Sequence, residues 1–305
     1  MDSASNYAPF YIFDLTIQQP FTNGMNATVS SAMSAIQGPL TAVIVLWVII
    51  SGIMVIRGDV DARSGVTRLI KVSLIVGILM STTLYNEYVV SFFTVGLPDW
   101  LASSFLGVNG TQPSAHQFDA IWNEADILFA NAEKNMNFYN VLYSVELGAM
   151  RDFVVVPIAV TFLIFEFAKI MLDVVVCIGP FVLIGYLFEA TKGVADRWIG
   201  KLIGLTILTL LIDIVLSIIL DGDRSYYNVS MTSLTVATVA ETVTICIQFV
   251  VFLSLGCLIT GFLPAIASYL GGGVSFSPLG MIASTMQTGR LIQAARSQSS
   301  TKKEA

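Results

Sequence analysis

From Ile199 to Leu220 the chain runs for 22 residues with only two ionisable side chains, Lys201 and Asp213. About 20 mostly apolar residues carry a helix across a hydrocarbon core of about 30 Å. Inside lipid, only helices and closed barrels satisfy their own backbone. Comparable stretches occupy Pro39 to Ile56, about Leu69 to Leu84, and Glu241 to about Leu263. The second of these continues past Asn86 and Glu87 as YVVSFFTV, and a 37-residue run from Asp152 to Phe188 is interrupted at Gly179-Pro180. With 55% hydrophobic and 12% charged residues, and a mean hydropathy of +0.78, the chain lies far from the roughly 25% charge of soluble domains. A soluble domain and a disordered chain are both excluded. The expected fold class is all-α, a polytopic integral membrane protein of about five transmembrane helices.

The basic residues set an orientation. Arg57, Arg63, Arg68 and Lys71 follow the first span; Lys192, Arg197 and Lys201 follow the long run; Arg290, Arg296, Lys302 and Lys303 lie in the tail. These three segments hold eleven of the 15 Lys and Arg residues, whereas the first 38 residues hold none. The opposite side carries Asp99, Asp119, Glu124, Asp126, Glu133 and Glu146 in one stretch. The N-terminus is therefore expected outside and the C-terminus inside, which requires an odd number of crossings. Five fit if Asp152 to Phe188 crosses once as a helix kinked at Gly179-Pro180; a re-entrant segment is the alternative. The resulting division is an outward N-terminal segment over 1–38, helices 1–2 over 39–95, an outward loop over 96–150, helices 3–5 over 151–270 and a cytoplasmic tail over 271–305. Within that tail, Ser277-Pro278 reads as the start of a helix suited to the membrane surface, with a frayed tail as the alternative. The net charge of −6 argues against a basic nucleic-acid surface.

Ionisable groups inside spans are expensive and usually face protein or water. Glu166, Lys169 and Asp173 recur at i, i+3 and i+7 and so share one helix face, and Asp213 on the next span is a natural partner for Lys169. This stripe reads either as a polar lining or as a self-neutralising strip that docks one helix on another. Glu241, Thr244 and Gln248 form a second polar face near the outer end of the fifth span, with interhelical hydrogen bonding the stronger reading. Gly200 and Gly204 have the spacing of close helix contact, and Trp198 and Trp100 fall where interfacial belts are expected. Cys177, Cys246 and Cys257 sit in apolar runs and read as buried hydrophobes. With one histidine, His116, and no P-loop or GxSxG signature, no catalytic residue, metal site or cofactor is expected.

The segment ICIGPFVLIGYLFEATKGVADRWIGKL resembles polytopic inner-membrane subunits of bacterial type IV secretion systems, the TrbL-like family that includes the sixth component of the VirB set. The resemblance is carried by Gly179, Pro180, Leu187, Phe188, Thr191, Lys192 and Trp198. Where the family often places an aromatic before the tryptophan, this chain has Val194-Ala195. The resemblance implies a non-enzymatic channel or scaffold subunit of the bacterial inner membrane, acting in pilus assembly and in translocation of single-stranded DNA-protein or protein substrates. It further implies as partners the minor pilin, the core-complex and ATPase subunits, the transiently held substrate, membrane lipid and other copies of the chain. The competing reading is a secondary transporter with Glu166, Lys169, Asp173 and Asp213 as its coupling site; no internal symmetry supports it.

Overall fold

The computed structural model describes residues 8–58, 62–106, 114–136 and 141–270, and these are helical almost throughout. The proposed tail helix from Ser277, and the rest of 271–305, lie outside the described residues. Helix α1 spans Pro9–Ile56, α2 Ala62–Leu79, α3 Thr82–Tyr85, α4 Leu97–Leu106, α5 Ser114–Lys134, α6 Val141–Cys177, α7 Gly179–Leu183, α8 Glu189–Leu234 and α9 Val239–Leu270. Two π-helical turns, Asn86–Val90 and Phe92–Gly96, join α3 to α4, and a 3₁₀ turn over Ile184–Leu187 leads from α7 towards α8. Four helices, α1, α6, α8 and α9, are long and apolar enough to cross a membrane. The pair Gly65–Leu79 and Thr82–Leu101, bent by 99°, forms a fifth crossing if counted as one broken span.

Three helices, α6, α8 and α9, form the central bundle. Its interior is filled by Ile158, Phe162, Leu208, Ile212, Phe249 and Leu253. Small residues let the helices close up near one end, where Gly200, Gly204, Ala267 and Ser268 border a void of only about 30 Å³. Helix α5 lies against the other end, presenting Phe118, Ile121, Ala125, Leu128 and Phe129 at helical spacing. Arg151 on α6 fastens it, bonding Asp126 at 2.5 Å and Glu133 at 3.2 Å.

Several boundaries differ from those read in the sequence. The first helix begins at Pro9, not near Pro39, and runs for 48 residues through Pro20 and Pro39. Hydropathy hid its first half because exposed Gln, Thr, Asn, Gly and Ser residues between Gln19 and Gly38 interrupt the apolar ones. The buried ones, Met25, Val29, Met33, Ile36, Leu40 and Trp47, nevertheless keep a helical stripe. Contacts advance in step along α1 and α6, from Phe10 with Phe162, through Asp14 with Lys169, to Met25 with Cys177. The two helices therefore run parallel. The polar stretch DGDRSYYNVSMTS is not a loop: α8 continues through it to Leu234, and the turn to α9 follows. The stretch expected as an outward loop contains α4, α5 and the first turns of α6.

A braced helix break and a clamped N-terminal helix

Gly179-Pro180 breaks the long apolar run as expected: α6 ends at Cys177, and α7 starts at Gly179. The break frees particular backbone groups. In an uninterrupted helix the Val176 carbonyl would accept from the N–H of residue 180, but that residue is proline and has none. Tyr85 Oη donates to the Val176 carbonyl instead, at 2.6 Å. Trp198 Nε1 donates to the neighbouring Val175 carbonyl at 2.7 Å. Within a bilayer such freed groups persist only where protein or water satisfies them; here two aromatic donors from other helices do so. Trp198 is accordingly turned into the core at 6% exposure and does not sit in an interfacial belt.

Gly179 is required for the same arrangement. A Cβ there would overlap the Tyr85 hydroxyl and come within 2.5 Å of the Trp198 ring. The other residues carrying the resemblance extend this brace. Leu187 is buried in the same core as Tyr85, Leu183 and Trp198, with Phe188 packed at its edge. Phe188 takes an extended backbone conformation before α8. Thr191 Oγ1 donates to the carbonyls of Gly185 at 2.7 Å and Phe188 at 3.3 Å, tying the 3₁₀ turn to the first turn of α8. Tyr186 donates to Asp196 at 2.7 Å. Lys192 lies exposed on the following turn. Tyr85, 91 residues upstream of its acceptor, was not singled out in the sequence, where it reads as one more apolar position.

The polar stripe on α6 meets a partner that the sequence reading left out. Lys169 Nζ lies 3.1 Å from Asp14 of α1 and 3.6 Å from Glu166. Gln18 Nε2 donates to Glu166 at 3.3 Å, and the ammonium lies 4.5 Å from the centre of the Phe165 ring. Asp173 is buried one turn further along the same face, and Asp213 is half-buried on α8. The start of α1 is fixed as well. Its N-cap residue, Ala8, offers no side-chain acceptor, but Asp119 of α5 accepts from the backbone N–H of Phe10 at 2.9 Å and of Tyr11 at 3.0 Å. A carboxylate there satisfies orphan donors and opposes the helix dipole. His116 stacks on Tyr11 with ring centres 3.9 Å apart.

The fifth-span polar face divides its work. Glu241 accepts from the Thr238 backbone N–H at 2.7 Å and from its hydroxyl at 2.8 Å, forming a capping box at the start of α9. Thr244 bonds back to the Ala240 carbonyl at 2.9 Å. Gln248 alone of the three reaches another helix, accepting from Tyr226 at 3.0 Å. All three border a shallow groove of about 460 Å³.

These features define a multi-pass helical membrane protein whose crossings are joined by a braced break and whose first helix is clamped by charge. Residues 44–285 match the family described as TrbL/VirB6 plasmid conjugal transfer protein, and the chain belongs to that family. It is 30% identical over 267 residues to Protein VirB6 of Rhizobium radiobacter, covering 87% of this chain and 90% of the relative. It is 29% identical over 285 residues to Protein VirB6 of Agrobacterium fabrum, with the same coverage. To the type IV secretion system protein VirB6 of Bartonella henselae it is 27% identical over 210 residues, covering 68% of this chain and 64% of the relative.

Proposed function

We propose that this protein is a channel-forming scaffold subunit of a type IV secretion system in the bacterial inner membrane, supporting pilus assembly and translocation of single-stranded DNA-protein or protein substrates. One observation carries the reading. On α1, Gln19, Asn23, Asn26, Ser30, Ser34 and Gln37 are all exposed and follow one another at intervals of three or four residues. They form a polar stripe about 27 Å long that leads directly into the apolar stretch 39–56 of the same helix. Its first part, to about Met25, lies beside the end of α6, where Met25 meets Cys177. A row of polar side chains is costly against lipid, so the stripe faces water or another copy. The α6–α8–α9 interior is packed solid, so a conduit has to form between copies, with α1 lining it. Family membership supplies the secretion context and, with it, the minor pilin, core-complex proteins and ATPases as expected partners.

The stripe is tested by the single substitution Asn26→Cys in a chain whose native cysteines are replaced. In assembled systems we expect a water-soluble maleimide to label the introduced thiol and block substrate transfer, and oxidation to cross-link neighbouring copies. A thiol at position 26 that resists labelling would place this face in lipid or a dry contact and remove the reading. Copurification as a large homo-oligomer with envelope partners is expected. A monomer that moves a small solute in liposomes would favour the transporter. The charge cluster supports the scaffold, because Lys169 holds Asp14 of α1 against α6 and so clamps one helix to another.

A further inference from the structure

Between α2 and the first turns of α8 lies an open groove of about 880 Å³, within the size range of ligand sites. Both helices begin at its mouth, and its chemistry changes along them. At the mouth stand Arg68, Lys71 and Lys192, with Glu189 as the opposing charge. Arg68 Nη2 bonds Glu189 at 3.3 Å, which fixes the two helices at one level and leaves two positive charges in excess. About two turns deeper the walls become apolar, with Leu74, Ile75, Ile78, Val89 and Phe93. Leu74 is 63% exposed, so the groove opens sideways into the surrounding bilayer.

We propose that this groove binds an anionic phospholipid of the leaflet beside the helix break, with its phosphate between Lys71 and Lys192 and its acyl chains along Ile75, Ile78 and Phe93. Charge complementarity selects this occupant. A basic mouth above an apolar floor between membrane helices matches an acidic headgroup on two hydrocarbon tails, and the sideways opening lets a lipid enter from the bilayer. Trp198 and Leu183 form the inner wall and also belong to the core around the break. A bound lipid therefore rests directly on the brace formed by Tyr85, Trp198 and Gly179, and holding it stiffens that junction.

The full-length protein is purified from bacterial membranes in mild detergent, and retained phospholipid is extracted and quantified by mass spectrometry. We expect phosphatidylglycerol or cardiolipin enriched over phosphatidylethanolamine. The double variant Lys71→Gln/Lys192→Gln should lower that retention by about thirtyfold, and Ile75→Trp should lower it by filling the groove with the charges intact. Glu189→Gln, which removes the opposing carboxylate, should raise it, a gain that misfolding cannot mimic. Added phosphatidylglycerol should raise the thermal unfolding midpoint of the wild type and not of the double variant. Phosphatidylcholine or inorganic phosphate should leave it unchanged. The proposal is overturned if zwitterionic lipid or inorganic phosphate stabilises equally, if the double variant retains anionic lipid at the wild-type level, or if a photocrosslinker at position 75 captures a protein helix and no phospholipid.

Discussion

Because residue 180 is proline, the Val176 carbonyl has no donor in its own helix, and the Tyr85 hydroxyl takes that place. Tyr85→Phe leaves this buried acceptor unpaired and should lower stability by about 1–3 kcal/mol. Pro180→Ala restores an N–H at the position from which α6 could bond Val176 itself. In that background Tyr85→Phe should be milder, so a double-mutant cycle on thermal unfolding should give a coupling of about 1 kcal/mol. Additive losses would mean that the tyrosine acts through packing alone. At Gly179 the expected effect is overpacking: Gly179→Ala drives a methyl against the Trp198 ring, at about 1–3 kcal/mol, and should also reduce substrate transfer. Trp198→Phe keeps an aromatic ring but removes the Val175 donor, so it should weaken the same junction without the clash. Gly179, Pro180 and Trp198 were legible in the sequence as a motif. Their purpose was not, because the second donor arrives from a distant helix that carries no local sign of the partnership.

Helix α1 teaches the complementary lesson at the scale of an element. Apolar run length located its second half, where a lipid-facing helix must be hydrophobic all round. Its first half is polar on one face, so only the period of its buried residues betrays a helix. The clamp that positions it joins residues 155 apart in sequence, Asp14 and Lys169. Lys169→Met would leave Asp14 and Glu166 facing each other without a counter-charge; the lysine is half-buried, so the loss should fall below the roughly 3–5 kcal/mol of a fully buried pair, at about 2 kcal/mol. Asp14→Asn leaves the Lys169–Glu166 contact in place and should cost less. Adding Asp14→Asn to Lys169→Met should therefore recover stability, as read by thermal unfolding in detergent. If the lysine variant were as stable as the wild type, the cluster would not be what holds α1 in place.

At the scale of the whole molecule, the helices fix which segments lie at the same end. Helices α6 and α8 meet at the break, where Trp198 reaches Val175. At the opposite end Asn135, after α5, donates to the Leu234 carbonyl at 2.7 Å. The break end carries Arg68, Lys71, Lys192, Arg197 and Lys201; the other end has Lys134, Arg151 and Arg224, with Arg151 paired to Asp126 and Glu133 and Arg224 to Glu124. Since basic residues are retained on the cytoplasmic side, the break end should be cytoplasmic and the turn between α8 and α9 periplasmic. Such an orientation also puts the lipid groove in the inner leaflet and the start of α1 at the outer end of the polar stripe. Two single-cysteine variants, made with Cys177, Cys246 and Cys257 replaced by alanine, separate the two orientations. Val236 is 85% exposed in the α8–α9 turn. After Val236→Cys, this position should react in intact cells whose outer membrane has been made permeable to an impermeant maleimide. Lys192→Cys should react only once the inner membrane is opened. The reverse pattern would invert the molecule, and labelling of both from one side would mean that α8 does not cross at all.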